Sequence, residues 1–233
     1  IDMGAGDDFL IINSDANDTS LDGGSGSDWL AFRTVNWGSS ARTYTLNSGN
    51  ASNFENLLGS DNDDTLTGDA NANIIVGSAG ADTINGGNGN DVLWGDCTTS
   101  ACASLISQNY SSYSISSGGN DSLNGGAGDD TLYGEDGDDT LNGGAGNDTI
   151  ISGSGSDVII ITSSSDSDTL NDFTDGTDAI GFDSSITSSN LTITASGSDT
   201  VIKNGGDVLL TLTGISSANF TAVDLQSTST DAQ

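Results

Sequence analysis

Aspartate is the residue whose type and spacing could do chemistry in this chain of 233 residues. From Gly59 a nine-residue frame runs through Gly68, Gly77, Gly86 and Gly95. It resumes after an interruption with Gly125, Gly134, Gly143, Ser152 and, weakly, Ile161. The sixth position of this frame is Asp64, Asp82, Asp91, Asp121, Asp130, Asp139, Asp148, Asp157 and Asp166, with Asn73 as the one exception. Carboxylates repeated in fixed phase suit calcium, a hard cation that takes about six to eight oxygens and accepts carboxylates and carbonyls together. Little other chemistry is within reach. The chain has no histidine, which removes Ser-His-Asp and Cys-His catalysis, HExxH zinc proteases and most transition-metal sites. Gly-x-Ser-x-Gly is absent too.

The elements that must position these aspartates follow from the same frame. The eighth position is aliphatic: Leu66, Ile75, Ile84, Leu93, Leu123, Leu132, Leu141, Ile150 and Ile159. Gly-Gly-x-Gly-x-Asp starts without error at Gly23, Gly86, Gly125 and Gly143, and with one substitution at Met3, Gly77, Gly134 and Ser152. Each unit reads as a six-residue turn followed by a three-residue strand. Glycines at positions one, two and four allow backbone conformations closed to residues with a Cβ. The aliphatic residue points to the opposite side from its two strand neighbours. One unit cannot bury that side chain, but two units can close a right-handed coil, and coils stack about 4.8 Å apart in two parallel sheets. Stacking places the carboxylates of alternate repeats almost on top of one another. Two like charges about 5 Å apart repel by roughly 3 kcal/mol at an effective dielectric of about 20, so the row opposes folding unless a cation lies between the turns.

Composition agrees. Acids outnumber bases 34 to 3, for a net charge of −31, and only 33% of residues are hydrophobic. Hydropathy and charge alone sit near the disordered class, which describes the calcium-free chain better than the loaded one. Nucleic acid and anionic membranes are poor partners without clustered Lys or Arg. No apolar run approaches the ~18 residues of a membrane span. The chain opens mid-pattern at Ile1-Asp2-Met3 and reads as an excised fragment.

This pattern resembles the calcium-binding nonapeptide array of RTX (repeats-in-toxin) proteins, tightly over residues 59–169 and loosely on either side. The resemblance implies an all-β, right-handed parallel β-roll with several Ca2+ ions between alternate turns. It also implies type I secretion, with the chain unfolded in the low-calcium cytoplasm and folded outside the cell. Carried onto this sequence, the ligands are the aspartates above with Asp8 and Asp28, and carbonyls at positions one and three. Those carbonyls belong to Gly77, Ala79, Gly86, Asn88, Gly125, Ala127, Gly134, Asp136, Gly143 and Ala145. The turns at Gly59 and Gly68 lack their central glycines and Asn73 replaces an acid, so sites there are expected to be weak or empty.

Four regions are expected. Residues 1–31 hold two repeats, Met3–Ile11 and Gly23–Ala31, around one decayed coil. Residues 32–58 break the period as a β insertion. Their Phe54-Glu55-Asn56-Leu57-Leu58-Gly59-Ser60 phrase is similar to the lead-in of RTX arrays. Residues 59–170 form the main roll, interrupted at 97–117 by a polar insertion. Cys97 and Cys102 in that insertion are either a small disulfide or two unrelated thiols, and Tyr110, Tyr113 and Ile115 are expected to pack onto the roll. Residues 171–233 form a β cap, with strands at Leu191–Ala195, Thr200–Lys203 and Asp207–Thr213 and an Asn204-Gly205 turn. This is also where the family carries its export signal.

The expected function is a calcium-folded, non-enzymatic module of a secreted surface-layer or adhesin protein, with self-association or lattice contacts. The alternative is a secretion and folding appendage of an RTX enzyme or toxin whose catalytic domain lies upstream. Position three carries no threonine (Ala5, Ser25, Ala79, Asn88, Ala127, Asp136, Ala145, Ser154), which disfavours the ice binding of a related RTX adhesin.

Overall fold

The structure is a computed structural model that describes residues 1–12, 21–32, 41–47, 51–98, 102, 118–162, 166–183, 186, 188–218 and 225–227. Its strands are β1 (Phe9–Ile12), β2 (Leu21–Asp22), β3 (Trp29–Phe32), β4 (Thr43–Thr45), β5 (Ala51–Ser52), β6 (Asn56–Leu58) and β7 (Thr65–Thr67). Next come β8 (Ile74–Ser78), β9 (Thr83–Asn88), β10 (Val92–Asp96), β11 (Ser122–Ala127), β12 (Thr131–Asp136), β13 (Thr140–Ala145) and β14 (Thr149–Ser154). The last are β15 (Val158–Ile161), β16 (Asp168–Leu170), β17 (Ala179–Phe182), β18 (Leu191–Ser196), β19 (Asp199–Asn204), β20 (Asp207–Leu212) and β21 (Leu225–Ser227).

Through the repeats, successive strands alternate between two sheets, as a coil of two units requires. One sheet has the order β1-β3-β6-β8-β10-β12-β14-β16-β20-β19-β18 and the other β21-β17-β15-β13-β11-β9-β7-β4. Within the repeats every pairing is parallel and in phase, so Leu123 lies opposite Ile84 and Leu141. All nine eighth-position aliphatics are at most 1% exposed and form one continuous core. The fold is the all-β roll the periodicity implies.

Three local expectations change. First, the central strands are six residues long, not three: β9, β11, β12, β13 and β14 run into positions one to three. Coil-to-coil pairing continues there, with Gly126 opposite Gly144 and Ala127 opposite Ala145, which leaves three-residue turns such as 128–130. Second, described residues 41–47 and 51–58 of the expected 32–58 insertion take places within the sheets of the roll itself. β6 sits between β3 and β8, β4 heads the second sheet, and Phe54 and Leu57 are buried in the common core. Third, β19 and β20 close the C-terminal end by an antiparallel pair that buries Ile202, Leu210 and Leu212, but β18 beyond them stays exposed along most of its length. The cap therefore leaves one open edge.

The 97–117 interruption leaves the stack intact. β9 pairs directly with β11 and β10 with β12 across it. Cys97 and Cys102 are joined in a disulfide, with Cα atoms 5.4 Å apart. Both are fully buried against a second apolar cluster on the outer face of the larger sheet, which holds Trp29, Ala31, Leu58, Val76 and Trp94. There the rings of Trp94 and Tyr133 stack at 3.9 Å. Tyr110, Tyr113 and Ile115 lie outside the described residues, as do 228–233. Among the described residues no helix is long and apolar enough to cross a membrane.

Candidate metal centre

The residue before each strand is drawn inward because the next-but-one residue is the core aliphatic on the same side. This builds two files of carboxyl groups, one along each sheet. In the smaller sheet the backbone N–H of Asp64 donates to Asp82 Oδ1 at 2.7 Å. The N–H groups of Asp82, Asp121 and Asp139 donate in turn to Oδ1 of Asp121, Asp139 and Asp157, at 2.6 to 2.9 Å. In the larger sheet the same relay runs from Asn73 to Asp91, Asp130 and Asp148. Asp8 and Asp28 form its beginning, with Asp8 N–H donating to Asp28 Oδ1 at 2.8 Å. The aspartates from Asp82 to Asp157 in these files are at most 3% exposed.

From Asp82 to Asp157 one oxygen of each file carboxyl is thus satisfied by backbone and the other is not. Oδ2 of Asp8, Asp28, Asp82, Asp91, Asp121, Asp130, Asp139, Asp148 and Asp157 is buried with no hydrogen-bond partner. A buried acceptor without a donor costs about 1–3 kcal/mol, and more when charged. Burial is accordingly the largest influence on these groups, pushing Asp82 up to about 9, Asp139 to about 7, and Asp91, Asp121, Asp130 and Asp148 to about 6. Neighbouring carboxylates add to the rise, as Asp121 and Asp157 do for Asp139.

Backbone carbonyls converge on the same places. A methyl group on Gly86 would overlap both Asp91 Oδ2 and the Gly125 carbonyl of the next coil. One on Gly125 would overlap Asp130 Oδ2 and the Gly143 carbonyl. Gly134 O stands in the same relation to Asp121, and Gly77 O and Gly86 O approach the position-six oxygens of Asp64 and Asn73. Glycine suits position one at these turns because the carboxyl group occupies the space of a Cβ, although Ser152 holds the same position in its own unit. Its φ is ordinary, whereas positions two and four have φ above +100° at Gly126 and Gly128. Of the predicted position-three carbonyls, those of Ala127 and Ala145 also accept an N–H from the preceding coil, from Gly89 at 2.7 Å and Gly128 at 2.9 Å. Ala79, Asn88 and Asp136 occupy the same point of their turns, and the exposed Asp136 side chain accepts from Ser154 Oγ.

The files are not uniform. Asp64 Oδ2 accepts both the N–H and the Oγ–H of Ser60, at 2.7 and 2.8 Å, and Asn73 Oδ1 accepts the Asp69 N–H. These two turns satisfy themselves. The period also slips by two residues near the end, since Thr149 pairs with Thr169. Asp168 therefore continues the larger file, accepting the Asp148 N–H at 3.1 Å, while Asp166 stands aside on the Gly146 N–H. Glu55 and Asp178 are further members, accepting from Asp28 and Asp157. The signal for all three was available as an acid two residues before a buried aliphatic: Glu55-Asn56-Leu57, Asp168-Thr169-Leu170 and Asp178-Ala179-Ile180.

Among the described residues no three acidic side chains gather as a ready-made metal cluster. Each carboxyl instead stands with carbonyls of glycine-rich turns, a donor set of oxygens alone that fits calcium. Bound there, calcium would supply the positive charge that lets stacked carboxylates ionise. A model of the RTX calcium-binding nonapeptide repeat, in four copies, matches residues 58–93, 115–150 and 129–159. No curated protein matches the chain. Among solved structures, the AlgE6R3 subunit of the Azotobacter vinelandii mannuronan C5-epimerase is 26% identical over 48% of this chain and 75% of its own, with a TM-score of 0.36. The extracellular lipase LipA of Serratia marcescens is 18% identical over 86% of this chain, which spans 44% of the lipase, with a TM-score of 0.39.

Proposed function

We propose that this chain, which carries RTX calcium-binding nonapeptide repeats on a parallel β-roll, is a non-enzymatic scaffold module of a secreted surface-layer or adhesin protein that folds on extracellular calcium. The observation that carries the reading is the row of buried carboxyl oxygens without donors. A chain with 3 basic residues against 34 acids cannot neutralise them from within. In a low-calcium cytoplasm the charged files keep the chain open, as passage through a type I secretion channel requires. Outside, neutralising the files lets the coils stack, so the free energy of binding becomes free energy of folding. Lattice contacts would use the acidic turns, and the exposed strand β18 offers an additional edge for pairing.

The test is size-exclusion chromatography with light scattering on the purified chain across a calcium series. Assembly that rises with calcium supports the scaffold. A monomer at every calcium level contradicts it and favours a folding appendage of a larger protein.

A further inference from the structure

Among the described residues, Asp96 and Glu135 are buried acids at position two of their turns, outside the position-six register. Asp96 takes position two of the interrupted unit, immediately before Cys97. It is 0% exposed; its Oδ2 accepts the Gly119 N–H at 3.0 Å and its Oδ1 is buried without any partner. The other turns that lead from the larger sheet to the smaller one carry Ser60, Ser78, Glu135 and Gly153 at this position, and the returning turns carry Asp69, Gly87, Gly126 and Gly144. Ser60 shows where such a side chain reaches, because its hydroxyl meets the position-six carboxyl of its own turn. At the interrupted turn the two partners are both acids. Asp121 also holds an Oδ2 with no donor, and the charges of Asp121, Asp139 and Asp136 all bear on Asp96, as Asp96 bears on Asp82. The charged groups named as acting on it are all acids. Two buried carboxyls with unfilled oxygens in one turn call for a cation, not a second hydrogen-bond donor.

We propose that the interrupted turn is a cation site of its own kind, in which Asp96 adds a second carboxylate to Asp121 and takes a hard divalent ion, calcium. The site anchors the insertion at its root. Asp96 precedes the Cys97–Cys102 bridge, and the next residue but one, Thr98, donates from Oγ1 to Glu135 Oε2 on the following coil at 2.6 Å. This inference rests on the calcium-binding reading of the repeats.

The experiment uses the full chain with Ca2+ as the probe, comparing wild type, Asp96→Asn and Asp96→Gly by equilibrium dialysis and isothermal titration. Asp96→Gly installs the glycine found at this position as Gly87, Gly126, Gly144 and Gly153 and takes the carboxylate away. Both variants are expected to keep the wild-type β content at saturating calcium while losing one calcium equivalent per chain, or weakening one site at least about tenfold. Unchanged stoichiometry and affinity in both variants would overturn the proposal and leave the repeat sites standing. A wild-type chain that takes up no calcium would instead overturn the reading beneath it.

Discussion

The backbone N–H of Asp91 donates to Oδ1 of Asp130 at 2.7 Å, although 39 residues and the whole insertion separate them. The contact links two neighbouring coils, and it leaves Asp130 Oδ2 buried and without a donor. Repeated along both sheets, this arrangement leaves buried acids whose second oxygen must be met by a cation or a proton.

Removing one file member should therefore be felt in calcium dependence. Asp130→Ala or Asp148→Ala is expected to raise the calcium midpoint of folding, by roughly tenfold for a lost ligand, and to lower its cooperativity. Asp199→Ala, at a half-buried hairpin position outside the files where the carboxyl accepts from the Gly214 N–H, should leave the midpoint unchanged. Calcium titrations followed by far-UV circular dichroism compare the three, and equal effects would sink the assignment of the files.

Position one gives a different kind of test. Gly125→Ala places a methyl group against Asp130 Oδ2 and the Gly143 carbonyl, and φ there is not the obstacle. The variant should lose about 1–3 kcal/mol of stability by overpacking and should bind calcium more weakly. Chemical denaturation at saturating calcium together with a binding isotherm checks both, and a loss of stability with unaltered binding would mean that the cradle is not a site.

The raised carboxyl groups fix the sign of the pH dependence. An acid with an unfolded value near 3.8 and a folded value of about 6 at Asp130, 7 at Asp139 or 9 at Asp82 stabilises the calcium-free fold below the unfolded value. That stability is lost as pH rises through the folded ones. The chain in chelator should gain β structure between about pH 8 and pH 4. Calcium binding competes with these protons, so affinity should fall over the same acidification. A calcium-free chain equally unfolded at pH 4 and pH 8 would contradict this.

The disulfide is expected to matter locally. Its short loop is worth at most about 2 kcal/mol by chain entropy, and β9–β11 and β10–β12 pair without it. Replacing Cys97 and Cys102 together by serine should leave the calcium midpoint within about twofold, as read by the same titration. A collapse of folding would show that the insertion is integral to the roll.

Where the nine-residue frame held, the sequence was enough to place residues in the roll. Acid at six and aliphatic at eight share one side of a strand, so Asp139 and Leu141 were legible as file and core from spacing alone. Spacing failed where coils changed length. Asp166 kept the count of nine but lost the register, because the coil that pairs Thr149 with Thr169 contains two more residues. Phe54 and Leu57 lay outside the period and still entered the core, since burial needs an inward side chain at the right height and not a constant interval. Asp96 was hidden for another reason: its position varies among glycine, serine and acid along the array, and only the folded turn shows its side chain buried with an unpartnered oxygen.

The most direct measurement is the circular dichroism of the intact chain in chelator at pH 7.5 and during a calcium titration. The account predicts coil in chelator and a cooperative rise of β structure at about millimolar calcium, the range of extracellular modules. Full β content in chelator would contradict it, and would mean that the apolar interior holds the roll without its cations.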